Sequence, residues 1–311
     1  MGFPRVSIIV LNWNGLTDTI ECLESLHGIT YPNYNVILVD NASQGDDVKV
    51  LTEKFGDHIH IIQNDKNYGF AKGNNIGIRF AMEKGADYVL LLNNDTSVTP
   101  EFLDEMVKVG ESDEKIGILC PKIYLYYHPE QVQLDGEVKV SLWWGTITSR
   151  LRQSDTRPVV ETGFATGAAM MIRRQTMEQI GLLPEEYFFG VEDVDYSLLA
   201  LKNNFKIVVA RRAVVLHKGS RTAAASMDLS VTAYHVLKGW QILRRKYLST
   251  PGYLLSSLTV LARQAFTALA ILLRGIWHRD LHQVTMLLRN MAADLKVMTK
   301  SLFSSESGRR P

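Results

Sequence analysis

Three short segments of this chain carry side chains whose type and spacing could do chemistry. The first is YVLLLNNDTSV, which sets Asp95 directly after an apolar, strand-like run. A carboxylate fixed at the carboxyl edge of a buried strand can ligate Mg²⁺ or Mn²⁺, because these ions take one or two carboxylates and complete their shell with substrate oxygens. The competing reading is an Asx turn of Asp95 and Thr96 before the helix that follows Pro100. The second segment is FFGVEDVDYSLLAL, where Glu192, Asp193 and Asp195 stand at the start of a helical pattern. The positive end of a helix keeps a carboxylate ionised, as a general base requires, although the same dipole favours acidic residues in any solvated first turn. The third is His217, which closes the strand-like RAVVLH ahead of KGS. A lone histidine is usually structural, but at a strand end in a sheet that already bears Asp95 it is a candidate metal ligand.

A fourth segment, NYGFAKGNNIG, spans Asn67 to Gly77. It contains neither the GxGxxG dinucleotide fingerprint nor a Walker lysine loop. Gly69 and Gly73 would let the backbone approach a ligand, and Asn67, Lys72 and Asn74 could meet phosphate or sugar. The plainer reading is a glycine-bearing helix start.

These residues need a scaffold, and the pattern around them supplies one. Short apolar runs at Val6 to Leu11, Val36 to Val39, Ile59 to Ile62 and Tyr88 to Leu92 alternate with amphipathic stretches at Thr17 to Leu26, Asp46 to Phe55, Asn75 to Lys84 and Pro100 to Val109, the last with Pro at its first helical position. Such alternation predicts an α/β fold with a largely parallel sheet flanked by helices. Ligands then bind beyond the carboxyl ends of the strands, and each run here ends in polar residues: Asn12 and Asn14, then Asp40, Asn41 and Ser43, then Asn64 and Asn67, then Asn93, Asn94 and Asp95. Residues 124–160 read as a loop or hairpin with little chemistry. Two further strands are expected at Lys206 to Ala210 and Ala213 to Leu216.

With 311 residues, 46% apolar and 22% charged, and a mean hydropathy of −0.03, the chain is neither disordered, collagen-like nor polytopic in a membrane. Cys22 and Cys120 are too few for a disulfide framework or metal cluster and sit among apolar neighbours, which suits a reducing compartment. No secretory h-region is read, since Val6 to Leu11 is too short, and Val6 stands where N-myristoylation needs Ser or Thr.

The net charge of +1 conceals an asymmetry: residues 1–230 carry 22 Lys and Arg against 30 Asp and Glu, whereas residues 231–311 carry 12 against 3. The expected division is a catalytic domain over residues 1–225 and a helical, membrane-associating region over 226–311. Tyr253 to Leu273 is long enough to span a bilayer, but its central Arg263 would cost about 2.5–3.5 kcal/mol there. On a helix, Ser256, Thr259, Arg263, Thr267 and Arg274 form a polar stripe opposite Leu254, Leu258, Leu261, Ala265, Phe266, Leu269 and Leu273, which suits a helix lying in the interface. Arg244, Arg245, Lys246, Arg274, Arg279 and Arg289 would each add roughly 1 kcal/mol near anionic lipid. A helical bundle or homodimer interface is the competing reading. Nucleic acid is excluded as a partner, because the basic region is rich in Leu and Ala and lacks interleaved aromatics.

Seven ordered segments, VSIIVLNWNG, LVDNAS, NYGFAKGNNIG, LLLNNDT, TGAAMMIRR, EDVDYSLLAL and VVLHKGS, together resemble the inverting family 2 glycosyltransferases of GT-A fold, close to bacterial rhamnosyltransferase-like members. The resemblance covers about residues 5–220. It implies a GT-A, Rossmann-like mixed sheet and transfer of a sugar from a uridine or thymidine diphosphate donor to a glycan or lipid-linked glycan in cell-surface polysaccharide synthesis. By it, Asp40 would bind the nucleobase and Asn12 would lie beside the nucleoside, with Asn67, Lys72, Asn74 and Asn94 lining the donor site. Asp95 would be the last carboxylate of a DxD metal motif and His217 a further ligand to Mg²⁺ or Mn²⁺. Asp193 would be the catalytic base, with Glu192 and Asp195 binding acceptor hydroxyls. Asn93 departs from the pattern by replacing the first Asp of DxD, which predicts a loosely held cation. The enzyme would lie on the cytoplasmic face of the cell membrane. The alternatives are a sugar-phosphate nucleotidyltransferase, which should carry an N-terminal Gly-rich triphosphate loop where this chain has LNWNGLTD, and a non-catalytic nucleotide-sugar-binding or scaffold protein.

Overall fold

The computed structural model describes residues 2–150, 156–219 and 229–278. Four strands, β1 (Val6–Asn12), β2 (Tyr34–Asp40), β3 (Ile59–Gln63) and β4 (Tyr88–Asn93), pair in parallel in the order β4-β1-β2-β3. β1 and β4 are apolar at nearly every position, as strands covered on both faces must be. The helices α1 (Leu16–His27), α2 (Asp47–Phe55) and α3 (Gly69–Glu83) make the crossovers. The chain runs from β1 outward through β2 to β3 and then returns to place β4 on the other side of β1. The carboxyl ends of β1 and β4 therefore flank a topological switch point, the usual crevice for a ligand in such sheets.

Beyond β4 the sheet becomes mixed. β11 (Ala169–Arg173) is antiparallel to both β4 and β6 (Ile116–Leu125), and β12 (Lys206–His217) runs parallel to β6. Short β5 (Thr96–Val98) and β10 (Val159–Glu161) pair antiparallel with β12, and β7 (His128–Leu134) pairs with β6. β8 (Glu137–Ser141) and β9 (Thr146–Arg150) form a separate two-stranded ribbon. The remaining helices of this part are α4 (Phe102–Gly110), α5 (Arg174–Ile180) and α6 (Glu192–Lys202). α4 buries Phe102, Leu103, Met106 and Val107, each contributing about 1.5–3 kcal/mol on full burial.

Two details differ from the sequence reading. The two strands expected at 206–216 are one strand, whose register with β6 shifts between Ala210 and Val214. Pro100 lies two residues ahead of α4. α3 begins at Gly69, six residues before the amphipathic pattern at Asn75, as the plainer reading of a glycine-bearing helix start has it. The glycine run is helical because it touches protein: a Cβ on Gly73 would stand 2.8 Å from Leu11 Cδ1 and 2.9 Å from Asn41 Nδ2, so the backbone approaches the sheet rather than a ligand.

The chain forms two compact units. One comprises Met1–Lys139, Thr148–Phe188 and Glu192–Ser226; the other comprises Val140–Ile147, Phe189–Val191 and Met227–Pro311. In the second unit, α7 (Leu229–Tyr247) and α8 (Thr250–His278) accompany the 140–147 ribbon tip. Ser256 and Ser257 are fully buried; Ser256 Oγ donates to the Trp143 carbonyl at 2.6 Å and Ser257 Oγ to Gln241 Oε1 at 3.3 Å. Arg263 donates to the Trp144 carbonyl at 3.3 Å. Leu255, Leu258 and Phe266 are 53%, 55% and 74% exposed. The stripe is therefore covered at Ser256, where a backbone carbonyl of the ribbon tip satisfies it, while Thr259 is half-buried and bonded to the Ser256 carbonyl of its own helix, Arg263 is exposed, and part of the apolar face is open. Arg244, expected at lipid, is instead 1% exposed and donates to the Trp240 carbonyl. The side chains of Thr267 and Arg274, and residues Arg279 and Arg289, lie outside the described part. No helix among the described residues is long and apolar enough to cross a membrane.

Candidate active site

The carboxyl end of β1 carries a closed polar network. Asn12 Nδ2 donates to Asp40 Oδ1 (2.9 Å), Ser43 Oγ (3.0 Å) and Asp47 Oδ2 (3.2 Å), and its Oδ1 accepts from Thr19 Oγ1 (2.9 Å) and the Gly15 N–H (3.2 Å). Asn94 Nδ2 donates to Thr19 Oγ1 at 2.9 Å and lies 3.4 Å from Asn12 Oδ1. Asp40 is fully buried, and its oxygens accept from Asn12, Ser43 Oγ (2.6 Å) and the Ser43 N–H (2.9 Å). Asp40 therefore builds the turn after β2 and presents no open oxygen to the rim. That turn and the one after β1 contain Ala42 (φ 61°) and Asn14 (φ 53°), left-handed conformations that cost energy outside glycine.

The next rim segment is tied to this network through Asn41. Its Nδ2 donates to Asn67 Oδ1 (3.1 Å) and the Gly69 carbonyl (3.0 Å), while its Oδ1 accepts from Asn64 Nδ2 (2.8 Å). Gly69 has φ +79°, and a Cβ there would meet the Phe188 carbonyl oxygen at 2.3 Å; that same oxygen accepts the Phe70 N–H at 2.8 Å. Only glycine allows this contact, which joins the start of α3 to the loop ahead of Glu192. Lys72 holds its ammonium 4.4 Å from the centre of the Tyr68 ring. Asn74 is buried and donates to the Phe70 carbonyl of its own helix, so its amide nitrogen is turned away from the rim.

Strand register brings Asp95 and His217 together. β5 pairs His217 with Thr96, and the Lys218 N–H donates to the Asp95 carbonyl at 2.9 Å, so the residue before β5 faces the last residue of β12. His217 Nε2 lies 3.2 Å from Asp95 Oδ1. The two residues are 3% and 2% exposed, and Asp95 Oδ2 and His217 Nε2 have no hydrogen-bond partner. Burying such atoms unsatisfied is costly, and a divalent cation is the group that would satisfy both. Among the described residues, no group of three or more His, Cys, Asp or Glu converges on a metal position. Asp95 and His217 fit a cation as a pair, with substrate oxygens and water completing the shell. Cys22 Sγ, 3.7 Å from the Asn93 carbonyl, lines the same corner, and burial pushes its thiol up to about 12. Lys218 closes this corner on Asp18 and Glu21; burial opposes its charge, but the two carboxylates outweigh that and hold its ammonium above the ordinary value.

Asp193, in the first turn of α6, accepts the Gly167 N–H at 3.0 Å on Oδ2 and the Val194 N–H at 2.8 Å on Oδ1. Burial pushes its carboxyl up to about 6, against these backbone donors, which pull it down. The neighbouring Ala168 carbonyl accepts the Asn93 N–H at 2.9 Å, so consecutive residues of one turn reach Asp193 and the end of β4. Glu192 is buried, and Asp195 is fully buried and accepts the Tyr187 hydroxyl at 3.0 Å. Val191, immediately before this triplet, has φ 77°, a strained conformation for a β-branched residue. Thr19 and Gly167 organise the site but were not candidates from sequence, and Asn41, read there only as a polar residue at a strand end, ties two rim segments together. Gly167 lies within TGAAMMIRR and Asn41 within LVDNAS, whereas nothing local marks Thr19.

Known proteins share the sequence pattern and the fold of this chain. The chain is 26% identical over 65% of its length to a low-salt glycan biosynthesis hexosyltransferase, Agl10, of Haloferax volcanii, covering 63% of that protein. It is 24% identical over 57% of its length to a dTDP-rhamnosyl transferase, RfbF, of Shigella flexneri, covering 56% of it. The chain thus spans about six tenths of the length of these curated relatives. The solved mannosyltransferase of Pyrobaculum calidifontis, in complex with GDP-Man and Mn²⁺, superposes with a TM-score of 0.58 at 18% identity, covering 98% of this chain and 89% of that one, which shows a shared GT-A fold. Residues 7–181, more than half of the chain, match the family described as glycosyl transferase family 2, and the chain belongs to that family.

Proposed function

We propose that this chain transfers a hexose with inversion from a nucleoside-diphosphate sugar to a hydroxyl of a glycan or lipid-linked glycan. The observation that carries the reading is the Asp193 carboxyl, lifted to about 6 by burial and oriented by two backbone N–H groups. A general base works best when its pKa is near the operating pH. Asp193 takes the proton of the acceptor hydroxyl, whose oxygen attacks the anomeric carbon as the bond to the diphosphate breaks. One in-line displacement inverts that carbon. Glu192 borders the acceptor, and Asp195 braces Tyr187 beneath it.

Asp95 and His217 would hold Mg²⁺ or Mn²⁺, which when bound neutralises charge developing on the leaving diphosphate. The nucleoside lies along the rim built by Asn12, Asp40 and Asn94, with Lys72 available to phosphate and Asn67 and Asn74 shaping the start of α3. A dTDP-rhamnosyl transferase and a GDP-Man complex among similar proteins support a nucleotide-sugar donor and make dTDP-rhamnose the first to test.

The catalytic part is residues 1–225. Residues 226–311 hold it on anionic lipid at the cytoplasmic face of the membrane, a reading supported by the open Leu255, Leu258 and Phe266 and the basic excess of the segment. The test is release of nucleoside diphosphate from a panel of uridine, thymidine and guanosine diphosphate sugars, with Mn²⁺, Mg²⁺ or chelator, and with lipid-linked acceptors. Metal-dependent turnover of one donor is expected. Binding without turnover of any donor would replace this reading with a non-catalytic nucleotide-sugar binder.

A further inference from the structure

β7, in a stretch whose sequence suggested little chemistry, contains an irregularity aimed at the site. Opposite β6, Ile123 faces Leu134 and Tyr124 faces Val132, which leaves Gln133 as an extra residue without a partner on the facing strand. A bulge of this kind bends its strand and redirects a side chain. The redirected amide meets the imidazole of His217, 84 positions away in sequence, with Gln133 Oε1 2.8 Å from His217 Nδ1. An amide oxygen only accepts, so Nδ1 carries the proton. In the neutral ring the lone pair then lies on Nε2, the atom that stands 3.2 Å from Asp95 Oδ1 and has no hydrogen-bond partner. The backbone of His217 is held from the same hairpin, since the Tyr126 N–H donates to its carbonyl at 2.9 Å. Gln133 itself is exposed, so the core does not require it.

We propose that Gln133 is a positioning residue of the cation site: it locks His217 in the Nδ1–H tautomer and fixes the ring so that Nε2 points beside Asp95. The proposal rests on the reading of Asp95 and His217 as cation ligands. Histidine ligands are generally oriented by a hydrogen bond to the second ring nitrogen, and losing that partner typically weakens metal affinity by about 10–100-fold.

The test uses the full chain and Mn²⁺ titrations followed by electron paramagnetic resonance, with Mn²⁺ alone and with saturating UDP or dTDP. Gln133→Leu should weaken Mn²⁺ by about 10–100-fold, and Gln133→Glu, which keeps an acceptor oxygen, should restore it. The ¹⁵N spectrum of the histidines at about pH 8, above the ordinary histidine range, should show the Nδ1–H tautomer at His217 in the unsubstituted chain and lose it in Gln133→Leu. Unchanged Mn²⁺ affinity in Gln133→Leu, or an Nε2–H tautomer in the unsubstituted chain, overturns the proposal. Unchanged affinity in both His217→Ala and Asp95→Asn would instead remove the cation-site reading itself. The spectrum of the unsubstituted chain decides the tautomer even if a variant fails to fold.

Discussion

The carboxyl rim of the sheet and the C-terminal helix pair differ in what they leave open: a pair of side chains of metal-ligating type in one, exposed apolar side chains in the other. At the rim, Asn12, Thr19, Asp40 and Asn94 satisfy one another, and beside that closed network Asp95 Oδ2 and His217 Nε2 are left without hydrogen-bond partners. In α8, buried Ser256 and Ser257 find acceptors within their own unit, buried Tyr253 Oη is left without a hydrogen-bond partner, and large apolar side chains, Leu255, Leu258 and Phe266, stand in solvent. A polar residue of unmet valence calls for a small charged ligand, whereas an apolar remainder calls for a surface. The Asp95–His217 pair at the rim and the exposed leucines and Phe266 of α8 thus advertise different partners.

The comparison can be broken most severely at Asp193. Asp193→Asn should lower kcat by about 10²–10⁴-fold while nucleoside diphosphate titrations stay unchanged; retained turnover would deny the base. A second expectation concerns acid. Since the base must be ionised, kcat/KM should fall about tenfold per pH unit below about 6. The same raised carboxyl makes the folded state bind a proton that the unfolded chain, with its aspartate near about 4, has released. Stability of the unsubstituted chain relative to Asp193→Asn should therefore decline as pH rises from about 4 to about 6, measurable by urea unfolding.

Stability separates the two polar regions next. Thr19→Val removes a buried hydroxyl that bridges Asn12 and Asn94 and should cost about 1–3 kcal/mol, while Ser257→Ala, which loses one longer bond, should cost about 0.5–1.5 kcal/mol. Equal losses in denaturant midpoints would erase the contrast. The smallest effect is expected on α8, where Leu258→Asp should weaken cosedimentation with anionic vesicles by about fivefold, as partial burial of one leucine contributes about 1 kcal/mol. A variant that binds vesicles normally but shifts a monomer–dimer equilibrium in sedimentation would assign the face to a second copy of the chain.

Much of the parallel core was legible because a strand buried on both faces is a near-continuous apolar run, and β1, β2 and β4 are such runs. The start of α3 was legible only as the plainer of two readings of NYGFAKGNNIG, since helix propensity counts its glycines as breakers whereas their close approach to β1 and Asn41 makes them necessary. The division of 206–217 into two strands failed for a related reason: Arg211 and Arg212 interrupt the apolar run, while the ladder to β6 continues past them with a register shift.

By itself the sequence determined which residue types end the strands and open α6, and so placed Asn12, Asp40, Asp95, Asp193 and His217 along one edge. That information is local, carried by side-chain period and by the residue following each run. Only the tertiary structure decided which atoms meet: the β5–β12 register that sets Asp95 against His217, the turn at Gly167 that holds Asp193, the bulge that swings Gln133 onto an imidazole 84 residues away, and the face of α8 that turns inward. Each depends on pairing between segments distant in the chain, where one residue of register reverses a side chain and no local pattern records the choice.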